Sequence, residues 1–358
     1  MEKMVTDTFN TIFNNTKTFV TGHTGFKGSW LSLWLNQLGS SVTGLSLAPK
    51  SLSHWNDLRL ESISSNIGDI RDYDFTEKCL LKANPEIIFH LAAQPLVRES
   101  YKTPIETWQT NVIGTANLLQ AARKLDNLKA IVIVTSDKCY ENKELDIGYK
   151  EGDLLGGHDP YSSSKGAVEL LVSSFRRSFF YLPSSPSIVT ARAGNVVGGG
   201  DWSDNRLIPD LIKNSKNKTP LSIRYPKATR PWQHVLDCNY GYLQLAKTLV
   251  LNPSIDYSAF NFGPSKSSNA KVEEILTMIK STWPSIEWCI DNKDNPHEAG
   301  FLYLDSSLSR EVLNWNPILN LEDTLDMTID WYKNYDKNIL SSYDQLSLYT
   351  KMLSEYIN

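Results

Sequence analysis

The chain is short of the features that mark several large classes of protein. Its 358 residues hold only four cysteines, Cys79, Cys139, Cys238 and Cys289, far apart and without C-x-x-C spacing. Such a set supports neither a structural zinc (metal: none expected) nor a disulfide framework, and it fits reduced thiols. There is no dense lysine or arginine run, and the net charge is −4 with a pI near 5.9. A nucleic-acid role therefore has no electrostatic footing. No stretch reaches the ~18 apolar residues of a membrane-crossing helix. Residues 1–16 are polar and Asn/Thr-rich, without the apolar segment of a secretory signal, so a cytoplasmic protein is expected. The composition, 41% hydrophobic and 21% charged, is that of an ordinary globular chain long enough for two lobes.

What is present is an alternation. Apolar strand-like runs at Thr18–Thr21, Ser41–Leu47, Glu86–Leu91, Ala130–Val134 and Ser187–Thr190 are separated by helical patterns at Gly25–Leu38, Asp72–Lys82, Thr107–Leu125 and Ser162–Phe180. This rhythm predicts an α/β fold with a doubly wound, parallel, Rossmann-type sheet. After Arg192 it breaks. Gly194–Asn205 reads as a long polar loop and Tyr225–Trp232 as a polar connector, while Val235–Leu251 reads as a helix and Ala259–Phe262 as a late strand. The expected division is a dinucleotide-binding domain over 1–192, with 233–264 returning to its sheet, and a smaller C-terminal substrate-binding lobe within 193–358.

Between the first strand and helix lies Thr21-Gly22-His23-Thr24-Gly25-Phe26-Lys27-Gly28, where glycines let backbone amides approach a pyrophosphate at a helix N-terminus. The spacing is G-x-x-G-x-x-G, and the second strand ends in Ser46-Leu47 without the acidic residue that usually holds the ribose hydroxyls. NAD and NADP both remain open: Ser46 suits a free ribose hydroxyl, whereas Lys50 or Arg59 could meet a 2′-phosphate. Asp69 could accept from an adenine amino group or cap the helix that follows.

A second constellation follows the strand Ala130–Val134. Ser136, Asp137 and Lys138 stand at its C-terminal end, where ligands bind in such sheets. Asp159-Pro160 suits a helix start, which places Tyr161 and Lys165 one turn apart on one face. A lysine that close is expected to favour the phenolate of Tyr161, and Ser136 could bond the same substrate oxygen. Asp137 and Lys138 add acid/base groups that alcohol oxidation alone does not need, although an aspartate at a strand end is also a common turn residue.

These residues, together with His90-Leu91-Ala92-Ala93-Gln94, Asn111, Arg192-Ala193-Gly194-Asn195 and Arg230-Pro231-Trp232, resemble the extended short-chain dehydrogenase/reductase family of sugar-nucleotide enzymes. Thr135-Ser136-Asp137-Lys138 and Gly198-Gly199-Gly200-Asp201-Trp202 are similar to its 4,6-dehydratase branch. The resemblance implies C4 oxidation, loss of water across C5 and C6, and return of the hydride to C6. Its substrate would be a nucleotide sugar, CDP-glucose, and its cofactor NAD. Within that scheme Tyr161 takes the C4 hydroxyl proton and Asp137 protonates the departing C6 hydroxyl. Lys138 stands where the usual base is glutamate, and serves either as the C5 base or as a charged anchor. The cofactor would be held by Gly22, His23, Thr24, Gly25, Phe26, Gly28, Ser46, Asp69, Ile70, Leu91, Ala92, Ala93, Asn111, Tyr161 and Lys165. Gln94, Asn195, Arg206, Arg230, His297 and Tyr303 would contact the substrate. Trp202 and Trp232 could stack on a base, with core packing the default. Homodimerisation through the helices at 107–125 and 162–180 is a further expectation from the family. The alternatives are an enzyme acting only at C4, such as a UDP-sugar 4-epimerase, and a non-catalytic dinucleotide-binding regulator.

Overall fold

The computed structural model describes residues 9, 11–144, 146–291, 301–335 and 341–357. A seven-stranded sheet runs through it. Its strands are β1 (Lys17–Thr21), β2 (Ser41–Ser46), β3 (Ser64–Ile67), β4 (Ile87–His90), β5 (Ala130–Val134), β6 (Ser187–Ala193) and β7 (Ala259–Phe262). They lie in the order β7-β6-β5-β4-β1-β2-β3, and every pairing is parallel. β5, Ala-Ile-Val-Ile-Val, is buried at every residue, as a central parallel strand covered on both faces should be. The edge strand β3 is Ser-Ser-Asn-Ile and largely exposed, so its polarity hides it from hydrophobic patterning.

The strand order reverses between β1 and β4, and in open α/β sheets ligands bind at such a switch point, beyond the carboxyl ends of the strands. The side chain of Thr21 ties the two strand ends together. Its hydroxyl meets His90 Nδ1 at 2.7 Å and accepts from the amides of Leu91 and Ala92, each at 3.1 Å. Helix α1 (Phe26–Gln37) follows the glycine loop and is buried over Gly28–Leu35. Helix α2 (Pro160–Phe179) begins where expected: Asp159 accepts from Ser162 N at 3.0 Å and Pro160 takes the first turn. The helical region expected over 107–125 is interrupted by a wide π turn, Gln109–Ile113, with Asn111 buried in it.

One expectation fails here. Gly194–Asn205 is not a polar loop excluded from the core: residues 196–202 are buried. Val196–Val197 pairs with Gln233–His234, and the glycines allow close packing. A Cβ on Gly199 would sit 2.0 Å from Trp331 Cγ, and one on Gly200 2.6 Å from His54 Cγ. Likewise Thr229–Pro231, inside the expected connector, pairs antiparallel with Asn269–Lys271. These contacts join residues far apart in the chain, so local polarity misjudged them.

Candidate active site

At the switch point lies a cleft of about 1050 Å³. One wall is main chain. Gly22 takes φ +73°, and a Cβ on it would meet Ala92 N at 2.8 Å. A Cβ on Gly28 would meet the carbonyl oxygen of Gly22 at 2.1 Å. The loop is thus pressed onto its own backbone and onto the strand end after β4. Gly25 caps α1 without any side-chain bond, which leaves the first-turn amides of the helix for a ligand. Thr24, Phe26, Ser46, Asp69, Ile70, Leu91, Ala92 and Ala93 line the same wall. Ser46 and Thr24 share a hydrogen bond of 2.7 Å between hydroxyls. A dinucleotide fits this donor set: amides at a helix N-terminus for the diphosphate, and hydroxyls beside them.

Two residues assigned to that wall contribute otherwise. The His23 side chain turns out of the cleft and packs on Gly44, with Nε2 2.7 Å from Ser65 Oγ; burial lowers its pKa to about 4. Asn111 does not reach the cleft either. It donates to Ser164 Oγ at 2.8 Å and accepts from Gln94 N at 2.8 Å, so it holds the segment after β4 in place. Asp69 is not the cap of its helix (Tyr73–Ala83); Asp72 is, accepting from Phe75 N. Asp69 instead pairs with Arg71 at 2.6 Å, which holds its carboxyl below the usual range. Arg59 lies away from the cleft, and Lys50 lines it while pairing with Asp204 at 3.1 Å.

The facing wall is built from side chains on turns. Ser136, Asp137 and Lys138 leave β5 in a short 3-10 turn, and all three line the cleft with Tyr161 and Lys165. Ser136 Oγ donates to Asp137 Oδ1 at 2.9 Å and accepts from Lys138 N at 3.2 Å. Lys138 Nζ lies 3.3 Å from the same Oδ1. The other oxygen, Oδ2, faces Gly194, where a Cβ would come within 3.1 Å. Asp137 is buried, whereas the side chain of Lys138 is 26% exposed toward the cleft.

Tyr161 departs from expectation in one respect. Its phenol is pushed up to about 12, chiefly by burial, with the Ser136 hydrogen bond acting in the opposite direction. Lys165 does not hydrogen-bond it: the ammonium donates to Val134 O at 3.2 Å, and burial with the nearby Lys27 brings its pKa down to about 8. Burial, not the lysine, sets the direction for the phenol.

Beneath this wall sits a buried network that the sequence reading missed. Glu169 and Arg192 pair at 2.7 Å, each side chain 4% exposed. Glu169 also accepts from Thr135 at 2.5 Å and Thr190 at 2.7 Å. Arg192 donates to Tyr140 OH at 2.8 Å, and Tyr140 to Asn261 at 2.7 Å. The network joins β5, β6, β7 and α2 directly below the Ser136–Lys138 turn. A signal existed, since Glu169 lies one turn beyond Lys165 on the same helical face.

Among the substrate-side residues, Gln94, Asn195, Arg206 and Arg230 line the cleft. The Gln94 amide is occupied by Leu96 and Thr107. Arg206 is paired with Asp201 at 2.9 Å, and Arg230 donates to Thr229 O at 2.9 Å. Tyr303 does not line the cleft; its neighbour Leu302 does. His297 lies outside the described residues. Trp202 and Trp232 line the cleft but are buried; Trp202 packs on Trp331, Tyr332 and Tyr335, while Trp232 donates to Ala270 O. Among the described residues there is no metal-ligating cluster and no helix long and apolar enough to cross a membrane.

Comparison with known proteins places this geometry. A family model described as GDP-mannose 4,6 dehydratase matches residues 19–328. The chain is 43% identical over 349 residues to the CDP-glucose 4,6-dehydratase of Salmonella typhimurium, with 96% of each covered. It is 28% identical over 340 residues to the dTDP-glucose 4,6-dehydratase of Haemophilus influenzae, covering 87% of this chain and 96% of that protein. Among solved structures, the epimerase Mth375 of Methanothermobacter thermautotrophicus superposes with a TM-score of 0.82 at 25% identity, covering 93% of this chain and 96% of that one. The UDP-glucuronic acid 4-epimerase of Bacillus cereus, solved with UDP-glucuronic acid and NAD, shares the fold at a TM-score of 0.75 and 24% identity, covering 89% and 99%. The chain therefore belongs to the GDP-mannose 4,6 dehydratase family and is a nucleotide-sugar 4,6-dehydratase of the extended short-chain dehydrogenase/reductase kind.

Proposed function

We propose that this enzyme converts CDP-glucose to CDP-4-keto-6-deoxyglucose with NAD as its resident cofactor. The observation that carries the reading is the convergence of Ser136, Asp137, Lys138, Tyr161 and Lys165 on the cleft that the glycine loop also lines. When bound, NAD supplies a two-electron acceptor that takes hydrogen from one carbon and gives it back at another. The amides of Phe26 and the rest of that first turn would hold its diphosphate, and Ser46 and Asp69 its adenosine end. Residues 1–192 with 233–264 carry this half of the work, and the remainder of 193–358 carries the substrate.

Tyr161 removes the proton of the C4 hydroxyl while Ser136 bonds the same oxygen. The ketone so formed acidifies the C5 proton. Asp137 serves as the acid that protonates the departing C6 hydroxyl, and water leaves across C5 and C6. Reduction at C6 and reprotonation at C5 complete the product, a net loss of one water. Lys138 either exchanges the C5 proton or, paired to Asp137, anchors the sugar. Its cleft-facing exposure, against the burial of Asp137, supports direct contact with substrate. Arg206 and Arg230 hold the substrate diphosphate as charge-assisted donors. Two copies pair through the region 104–122 and α2, where Ile105, Ile113 and Leu170 are exposed.

Incubation with CDP-, UDP-, GDP- and dTDP-glucose tests the assignment. CDP-glucose is expected to give a 4-keto product absorbing in the ultraviolet after alkali, with deuterium from solvent at C5. Asp137→Asn should lose turnover about 100-fold or more while still reducing bound cofactor. Equal turnover of all four sugars removes the base assignment. Inversion at C4 with no loss of water, insensitive to Asp137→Asn, makes the enzyme an epimerase instead.

A further inference from the structure

The helix Ser341–Ile357 lies beyond residue 328, where the family match ends, and none of its described residues lines the cleft. It is nevertheless joined to α1, the helix that follows the glycine loop. Ser342, buried on it, accepts from Trp331 Nε1 at 2.8 Å and meets His54 Nε2 at 2.9 Å. His54 is buried too, and its Nδ1 lies 2.7 Å from Ser29 Oγ, whose hydroxyl donates to Phe26 O at 2.9 Å. Phe26 and Ser29 belong to the first turn of α1. The two ends fix the direction of these bonds, because an indole N–H can only donate and a carbonyl oxygen can only accept. Ser342 takes the proton of Trp331 and so gives its own to His54 Nε2. Ser29 gives its proton to Phe26 O and so receives that of His54 Nδ1. The imidazole is therefore neutral with its hydrogen on Nδ1, in keeping with the burial that brings its pKa down to about 3.

We propose that Ser342 is a positioning residue for the cofactor: through His54 and Ser29 it fixes the first turn of α1, whose amides would hold the diphosphate. The inference rests on the reading of the glycine loop as the cofactor site. Further contacts keep the same parts in register. The His54 ring stacks on Trp30 of α1 at 4.6 Å, and Trp30 Nε1 donates to Gly199 O at 2.8 Å. Farther along both helices, Tyr349 packs edge-on against Trp34 at 5.5 Å. Packing alone would be served by apolar residues at 29, 54 and 342. Instead three buried polar side chains form one continuous set of bonds, and opening it anywhere leaves a buried group without its partner. A helix N-terminus binds a diphosphate well only when its free amides converge on one point. A first turn that can rock must be ordered on binding, so affinity falls before the fold does.

Three substitutions in the full chain test this. Ser342→Ala opens the set of bonds at its far end and Ser29→Ala at the loop end. Tyr349→Phe removes a different buried bond of the same helix, the one to Asp237 at 2.7 Å. Calorimetry reads NAD affinity, and steady-state kinetics with CDP-glucose read kcat at saturating NAD. Spectra of 15N-labelled histidine in cofactor-free protein read the tautomer of His54, assigned among the six histidines with His54→Gln. The parent should show the Nδ1–H form. Ser342→Ala should weaken NAD about tenfold, leave kcat at saturating NAD within about twofold, and raise an Nε2–H population. Ser29→Ala should weaken NAD as much, and the double variant no more than either alone. Tyr349→Phe should lower the melting temperature while NAD affinity stays within about twofold. NAD affinity in Ser342→Ala within about threefold of the parent, an equal loss in Tyr349→Phe, or an Nε2–H tautomer in the parent each overturns the proposal. If Ser342→Ala fails to fold, Ser29→Ala and the parent's tautomer carry the same decision. A parent that does not bind NAD sinks the cofactor reading, whereas a parent that binds it no better than Ser342→Ala sinks only the role of Ser342.

Discussion

The two walls of the cleft reach the same end by different means. The wall proposed for the cofactor is positioned by backbone: glycines pressed onto carbonyls and amides, and strand ends tied through Thr21. The wall proposed for the substrate is positioned by side chains: a 3-10 turn whose Ser136, Asp137 and Lys138 bond one another, resting on the buried Glu169–Arg192 pair. A dinucleotide's diphosphate asks for several amides converging on one point, and main chain at a helix start supplies them. Sugar chemistry asks for groups that gain and lose protons, which only side chains can do. The walls should therefore fail differently when perturbed.

The largest effect is expected in the backbone wall. Gly28→Ala would set a methyl 2.1 Å from the carbonyl oxygen of Gly22, and a main-chain atom cannot swing aside as a side chain can. The loop must shift, at a cost of about 3 kcal/mol that falls on the bound geometry, or roughly 100-fold in cofactor affinity. Calorimetric titration with NAD checks this. Affinity within threefold of the parent would mean that the loop is looser than its contacts imply.

The same contrast explains what the sequence could reveal. β5 and the start of α2 were legible because their signals are local: a β-branched run buried on both faces, and an Asp-Pro pair that caps and opens a helix. Tyr161, Lys165, Ser136, Asp137 and Lys138 followed from spacing on those elements. The glycine ladder was legible as a turn, but not that His23 would face Gly44 and leave the cleft to Thr24. β3 was invisible because an exposed edge strand needs no apolar residues. Burial of Gly198-Gly199-Gly200 depends on His54 and Trp331, more than a hundred residues away on either side, and no window around the glycines contains that information.

A middle-sized effect is expected in the side-chain wall. Glu169→Gln keeps most of the volume and some hydrogen bonds to Thr135 and Thr190, but leaves Arg192 buried without its counter-charge. Removing one partner of such a pair costs about 3–5 kcal/mol, and the amide's retained bonds should hold the loss near the lower figure. Turnover should drop about tenfold through displacement of the Ser136–Lys138 turn, with cofactor affinity little changed. Thermal melts and calorimetry on one preparation separate the two outcomes. Loss of cofactor binding together with turnover would show that the walls are a single unit.

The smallest effect is expected where the walls meet. Lys50, beyond β2, pairs with Asp204 at 3.1 Å, and Arg98 donates to Asn205 at 2.8 Å, so two contacts cross the mouth of the cleft. The Lys50–Asp204 pair is exposed, 74% and 61%, and Asp204 keeps a second partner in Lys213 at 2.7 Å. Water and salt screen such a pair, so Lys50→Met should cost at most about 0.5 kcal/mol of stability. KM for substrate and cofactor should stay within about twofold by the same measure, since 1.4 kcal/mol corresponds to tenfold. Steady-state kinetics at low and high ionic strength provide the check, because salt should erase in the parent whatever the substitution removes. A KM change of tenfold or more, persisting at high salt, would mean that residues 203–206 are held across the cleft as a strap. The independence of the two walls would then fail at its weakest contact.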